Sequence, residues 1–347
     1  MAERGHEGGW LAHGRETAAR RFALVRMLGH ASPWLVAGAV SAAVVAGVLP
    51  VAVMVAGGVL SGRIDTAVRH GGTGSQLHAV YLAFGLVMGL FLMSEVMVPV
   101  QSRLRWLVTK RVDGAARTRV MEAALAGTDM TRLHGDEYLE AMGLARGLIR
   151  WSATPGAGAA GMIGLTRDYL TGLAAAVVLA TFQPLIAAAA LCAALVVRVR
   201  WRQATVGIIN VWIRGWRHRR ESWYFSDLGL GRAAANEVRL FGLRDWIGQR
   251  IRGAGIEAWT PTWHQRRVGM GYTTALDFVL TGAVAVAGLV WAARAAADSR
   301  IGIGQLVVFV PALFAVLAVG RYFNDDTPVE YGTNTLPAIE TLERLAV

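Results

Sequence analysis

The sequence is poor in the residues that build disulfides and metal sites. Cys192 is the only cysteine among 347 residues, which excludes an internal disulfide and a cysteine-rich zinc or iron–sulfur site. The eight histidines are scattered, with no pair at the H-x-x-x-H spacing of a zinc-binding helix. We therefore expect no metal site. Because Cys192 lies in an apolar run, we expect it to be a buried, unreactive thiol.

Charged residues are scarce as well. They make up 17% of the chain, whereas about 25% is usual in soluble domains, and the mean hydropathy is +0.41. This composition favours a membrane protein. A secretory signal would place its apolar core nearer the start than this sequence does, and we predict that residues 1–20 form a flexible N-terminal tail.

Long apolar runs predict the membrane spans. Four runs are each long enough to cross a bilayer, which takes about 20 apolar residues, and the run at 155–197 is long enough to cross twice. Phe182-Gln183-Pro184 is the natural break in that run, because proline ends helices and opens turns. The sequence therefore predicts six spans, the third and fourth forming a tight hairpin. The four single runs are 33–60, 79–100, 272–293 and 301–320.

The basic residues are distributed unevenly between the two sides of these spans. Thirty of the 35 arginine and lysine residues lie before the first span, in the segments 103–151 and 198–267, or after residue 320. Positive charge accumulates on the cytoplasmic side of membrane proteins. We therefore expect a multi-pass protein of the bacterial inner (plasma) membrane with both termini in the cytoplasm.

The two long inner segments, 103–151 and 198–267, read as helical. In the second, Leu240, Leu243, Ile247 and Ile251 recur at steps of three and four residues, which predicts one amphipathic helix. We expect both segments to be helical hairpins that continue the spans into the cytosol. The predicted fold is an all-α membrane protein with six transmembrane helices and two long cytoplasmic hairpin extensions.

Three local sequences resemble those of bacterial ABC exporter membrane domains. ANEVRLFGL, residues 235–243, resembles the A-K-E-V-R-L-F-G-L string that follows the second coupling helix, with Asn236 where lysine is common. LHGDEYL, residues 133–139, resembles the L-x-x-P-E-Y/F-L pattern around the first coupling helix, with Asp136 in place of proline. IGQLV, residues 303–307, resembles the segment that opens the sixth span. The similarity covers the chain from about Arg20 onward.

The resemblance implies an architecture and partners. Residues 21–325 would form the transmembrane domain, in a homodimer or heterodimer with another such domain. Residues 326–347 would be a linker towards a nucleotide-binding domain that this chain lacks. Coupling helices near 133–140 and 226–234 would transmit the motion of that partner to the spans. The coupling residues implied in this way are Leu133, His134, Gly135, Asp136, Glu137, Tyr138, Ser226, Asp227, Leu228 and Gly229.

ATP chemistry is expected on the partner. A phosphate-binding P-loop requires G-x-x-x-x-G-K-[ST], whereas Lys110 is the only lysine here and is followed by Arg111. No LSGGQ-like signature occurs either. We therefore expect no catalytic or ATP-binding residue and no cofactor in this chain, which is not an enzyme by itself. ATP and magnesium would bind to the nucleotide-binding partner.

Four charged residues fall inside predicted spans, where charge is costly and often functional. Arg167 and Asp168 would either line a cavity or lie at the cytoplasmic end of the third span. Glu95 and Asp277 would line a substrate cavity or pair with groups on neighbouring helices.

The favoured function is the permease part of an ATP-driven exporter, embedded in the lipid bilayer. One alternative is a non-transporting remnant, a regulator or an immunity protein of the same architecture. Another is a proton-coupled secondary transporter, which would need Glu95 and Asp277 at mid-membrane depth. The basic, aromatic run WRHRRESW at 216–223 resembles a strand-binding pattern, but directly below a span we expect a solvated face or a lipid contact and no nucleic-acid partner.

Overall fold

The computed structural model describes residues 19, 21–69, 74–126, 135–150, 154–232, 234–321 and 325–346. Every regular element within these ranges is helical. After a 3-10 turn at Leu28–His30 come α1 (Pro33–Arg69), α2 (Gly74–Ala126), α3 (Asp136–Arg150), α4 (Pro155–Phe182), α5 (Pro184–Arg214), α6 (Trp216–Leu230), α7 (Ala235–Leu240), α8 (Arg244–Ala297), α9 (Ile303–Ala318) and α10 (Asp326–Ala346).

Five of the described helices are long and apolar enough to cross a membrane, so the chain is a helical membrane protein. They are α1, α2, α4, the Pro184–Trp212 part of α5 and the Thr274–Ala297 part of α8. The break predicted at Gln183 is confirmed, because its backbone is extended with φ −153° and ψ 101°. Helix α9 is apolar but has only 16 residues, about 24 Å of helix. The sixth span therefore stays a prediction.

Helices α2 and α8 are much longer than a bilayer is thick. They contain 53 and 54 residues, about 80 Å each at 1.5 Å per residue, whereas the hydrocarbon core measures about 30 Å. Helix α8 packs along α5 and along α6, and its contact with α6 includes Ile247 near its polar start. We call α6, α7 and the polar part of α8 (residues 216–232 and 234–267) the arm.

Two large apolar cores lie within the described residues. One joins α1, α4, α5, α8 and α9 within the spans, around Leu179, Phe309 and Leu313. The other lies towards the polar ends of the helices and joins α1, α2, α3, α4 and α10, around Val112 and Ile339. The second core shows that the polar end of α2 is a folded part of the body.

Glycines on one side of α4 let α10 approach it backbone to backbone. A Cβ built on Gly158 would lie 3.1 Å from the Cα of Gly332 and 3.0 Å from the carbonyl oxygen of Pro328. One on Gly161 would lie 2.9 Å from the carbonyl oxygen of Asp325. Over its described residues the segment predicted as a linker, 326–347, is therefore a helix packed against α4, and its role as a linker stays a prediction.

A buried carboxylate fixes the start of α4 against α2. The Asp113 carboxylate accepts 2.8 Å hydrogen bonds from the Gly156 amide and from the Thr154 hydroxyl. The Thr154 hydroxyl oxygen in turn accepts from the Ala157 amide at 3.1 Å. These bonds satisfy amides that have no partner within a helix, and they hold the polar end of α2 at a defined position.

Two expectations from the sequence are wrong. The single amphipathic helix predicted through Leu240 and Ile251 is broken, because Phe241–Leu243 form a turn in which Gly242 has a φ of +63°. Leu240 is consequently exposed while Ile247 is buried. Cys192 is exposed on α5, because an apolar residue of a span faces lipid as readily as protein.

Because α4 and α10 pack closely, a larger side chain at their contact should destabilise the protein. Gly158→Val should lower the thermal midpoint of the detergent-solubilised protein by about 3–8 °C, since overpacking costs about 1–3 kcal/mol. The control is Gly57→Val, where a Cβ meets nothing within 4 Å. Size-exclusion chromatography after heating measures the thermal midpoint of both variants. Equal midpoints would contradict the close contact of α4 with α10.

Candidate functional site

The tip of the arm exposes large apolar side chains far along the chain from any span. Helix α6 ends at Leu230, α7 is a separate short helix, and α8 begins after a turn. Leu230, Leu240 and Phe241 are 87%, 81% and 67% exposed. Apolar side chains gathered at the end of a polar projection mark a contact surface. We call residues 230–232 and 234–243 the arm tip.

The arm tip rests on a rigid base. A Cβ on Gly229 would lie 3.1 Å from the Ile247 Cγ2 atom, so α6 and α8 touch closely there. The rings of Phe225 and Trp246 meet edge to face, 5.6 Å between centroids. The last turns of α6 are thus packed against the first turns of α8, next to the arm tip.

The predicted second coupling residues lie just before the tip. The Ser226 hydroxyl donates to the Ser222 carbonyl oxygen at 2.8 Å, and the Asp227 carbonyl oxygen accepts from the Gly231 amide at 2.8 Å. Leu228 and Gly229 are in the same last turns of α6. The separate short helix is Ala235–Leu240, within the stretch that the periodicity assigned to the returning helix.

The structure describes only some of the residues predicted for the first coupling helix. Leu133 and His134 lie outside the described residues. Gly135 directly precedes α3, Asp136 is its first residue, and Glu137 is exposed. Tyr138 is buried in the core that joins α2, α3, α4 and α10. Its ring therefore packs α3 against the body, and its role as a coupling residue stays a prediction.

The four charges predicted inside spans are not brought together. Asp277 is buried and lies 3.2 Å from the Arg200 Nε atom, an ion pair between α8 and α5. Glu95 is exposed on α2. Arg167 and Asp168 are half-buried on α4, and Asp168 lies within electrostatic reach of Arg105 and Asp325. The last pair therefore belongs to a charged cluster at the start of α10.

An apolar cavity of about 570 Å³ opens between α1, α4 and α9, at the end of the spans opposite to the arm. Valine, isoleucine and phenylalanine side chains form most of its wall, and Asp65 and Gln305 supply polar groups. Beside it α1 and α9 touch, since a Cβ on Gly304 would lie 2.4 Å from the Gly58 carbonyl oxygen. Periodicity could not reveal this cavity, because its walls come from three helices distant in sequence.

A buried arginine sits where the arm joins the body. Arg219 is 2% exposed, and all three of its guanidinium nitrogens lack a hydrogen-bond partner within the described structure. The guanidinium stacks on the Trp212 ring at 4.2 Å, and that ring meets Tyr331 of α10 edge to face at 5.9 Å. Burial lowers the pKa of Arg219 well below its usual value, to about 10, so the group stays charged at neutral pH.

Comparison with known proteins places the chain in no family. No family model matches it, and no curated protein matches it.

The unpaired charge of Arg219 predicts that removing it stabilises the protein. Arg219→Met should raise the thermal midpoint, because the cost of burying a charge, several kcal/mol, exceeds a cation–π contact of about 2 kcal/mol. Folding lowers the pKa of this group, so the unfolded chain holds the proton more tightly and the penalty persists at every pH below about 10. The increase in thermal midpoint should therefore be equal at pH 6 and pH 8.

The control is Arg219→Lys, which keeps the charge and should not raise the thermal midpoint. A lower midpoint for Arg219→Met than for Arg219→Lys would contradict the predicted stabilisation.

Proposed function

We propose that this chain is the membrane domain of an ABC-type exporter. It moves a hydrophobic, peptide or lipid-like cargo outward by alternating access. The energy comes from ATP hydrolysis, with magnesium, on a separate nucleotide-binding domain or subunit. The chain itself contributes a conformational change and performs no bond chemistry.

The exposed apolar arm tip is the observation that carries this proposal. Leu240 and Phe241 stand at the end of a polar projection, next to Glu237 and Arg239, which are also exposed. Apolar anchors ringed by charge are the composition of a protein contact site. A motor protein that grips the arm tip would have both an apolar anchor and a polar rim to recognise.

The continuity of α8 supports force transmission from the tip to the spans. The helix runs without interruption from Arg244 beside the tip to Ala297 at the far end of an apolar span. A packed helix moves as a rigid lever, so a displacement at Arg244 shifts the span. Helix α2 has the same character, with one end in a span and the other in the core around Val112.

The apolar cavity is a suitable place for cargo. Its volume of about 570 Å³ is within the range of about 300–1,000 Å³ of small-molecule sites. Its apolar wall favours a hydrophobic cargo, and Asp65 and Gln305 offer a few polar contacts. It lies between α1, α4 and α9, which a rocking motion would move apart.

The proposal places the chain in the bacterial inner membrane with both termini and the arm in the cytoplasm. Helix α9 would be the sixth span, and residues 103–151 and 198–267 would form two cytoplasmic hairpins. In the most apolar 18-residue stretch of α2, only 6% of the residues are buried within the chain, and in that of α8 only 17% are buried. Lipid and a second membrane domain, in a homodimer or heterodimer, would cover these faces.

The alternatives gain less support from the described contacts. A proton-coupled transporter would use Glu95 and Asp277 together, yet Asp277 pairs with Arg200 between two helices while Glu95 is exposed on α2. A non-transporting regulator or immunity protein would share the architecture. It would bind a partner without coupling to ATP hydrolysis, so a measurement of cargo-stimulated ATP hydrolysis distinguishes it from an exporter.

Removing the apolar anchors of the tip should uncouple the two proteins. The double variant Leu240→Ser/Phe241→Ser, reconstituted in vesicles with a candidate nucleotide-binding partner, should lose cargo-stimulated ATP hydrolysis by about tenfold or more, since buried apolar anchors contribute at least about 1.4 kcal/mol. The control is Ile256→Ser, because Ile256 is also a large, exposed apolar residue and lies on α8 away from the tip.

The proposal fails if the wild-type chain supports no stimulated hydrolysis with any candidate partner. It fails equally if the double variant and Ile256→Ser stimulate hydrolysis as the wild type does.

A further inference from the structure

A second cavity, of about 220 Å³, lies where α4, α5, α10 and the N-terminal segment meet. It is much more polar than the cavity between α1, α4 and α9. Three arginines, Arg21, Arg198 and Arg202, line it together with the single carboxylate of Asp326. Its wall is completed by Tyr169, Leu195 and Val199.

Ion pairs hold two of these arginines in fixed orientations. Arg198 donates to the Asp326 carboxylate at 2.5 Å, to the Tyr169 hydroxyl at 2.5 Å and to the Arg321 carbonyl oxygen at 3.0 Å. Arg21 donates from one Nη atom to Glu330 at 2.6 Å, and its Nε atom is buried with no hydrogen-bond partner. The cavity is thus built before any ligand arrives.

Arg202 keeps donors free on the cavity side. Only its Nε atom donates within the described structure, to Glu330 at 3.0 Å, and its side chain is 35% exposed. Its two Nη groups are therefore available. The three guanidinium groups outnumber the carboxylates of Asp326 and Glu330, so the cavity has a net positive charge and suits an anion.

The cavity lies at the depth of a lipid headgroup. Arg202 follows Pro184, the first residue of α5, by 18 residues, about 27 Å along the helix, and the hydrocarbon core is about 30 Å thick. Leu195 and Val199 lie two turns and one turn before Arg202 on the same face of α5, and both are more than half exposed. An apolar surface thus adjoins the basic cavity on its membrane side.

We propose that this cavity binds the phosphate of an anionic phospholipid, with the Nη groups of Arg202 and the guanidinium of Arg21 as donors. The acyl chains lie along Leu195 and Val199. Arginine suits this role because its fork of donors matches phosphate oxygens, and basic pockets between transmembrane helices are known places for anionic headgroups. The inference rests on membrane insertion alone and not on the exporter proposal.

Native mass spectrometry of the full chain in detergent tests this site. Phosphatidylglycerol, phosphatidylcholine and inorganic phosphate are titrated separately. We expect phosphatidylglycerol to bind at least about fivefold more tightly than phosphatidylcholine, about 1 kcal/mol, and inorganic phosphate to leave lipid binding unchanged. Arg202→Gln should abolish the preference, and Glu330 keeps its pair with Arg21 in this variant.

The matched control is Arg103→Gln. Arg103 is exposed on α2 two residues before Arg105, which pairs with Asp325 next to the cavity residue Asp326, so it lies at the same depth on another face. Its substitution should keep the preference. Equal affinities of the wild type for the two lipids, or equal loss in both variants, would overturn the proposal. Competition by inorganic phosphate at equal concentration would show recognition of the phosphate group without the lipid, and the lipid assignment would fail.

Discussion

The length of α8 is the constraint on which the rest of the structure depends. Its 54 residues extend about 81 Å without a break, and a bilayer can accommodate little more than a third of that in its hydrocarbon core. The apolar part, Thr274–Ala297, takes this place. The polar part must therefore extend into water, where α6 packs along it and forms the arm. The position of the arm tip follows from this single helix.

The ionic contacts around the start of α10 lie where the helices change from apolar to polar sequence. Arg105 pairs with Asp325, Arg198 with Asp326, and Arg21 and Arg202 share Glu330. Charges are costly in hydrocarbon and well tolerated where protein partners and water are both available. These ion pairs therefore join α2, α5, α10 and the N-terminal segment, and the proposed lipid site lies among them.

Much of this architecture could be predicted from the sequence. Apolar runs identified five spans, because the bilayer demands about 20 apolar residues whatever the tertiary contacts are, and Pro184 marked the turn between α4 and α5. The turn at the end of the arm was harder to predict. The spacing of Leu240, Leu243 and Ile247 satisfies a helix, and only the positive φ of Gly242 reveals the turn. The approach of α10 to Gly158 and the burial of Tyr138 depend on tertiary packing, which a periodicity does not encode.

The account as a whole depends on the arm tip lying in the cytoplasm. The direct measurement places one cysteine at the exposed Asn236 by Asn236→Cys in a Cys192→Ala background, which removes the only native thiol. A membrane-impermeant maleimide is then applied to intact cells and to inside-out vesicles. The account predicts labelling in the vesicles alone. Labelling in intact cells, or protection in both preparations, would contradict it.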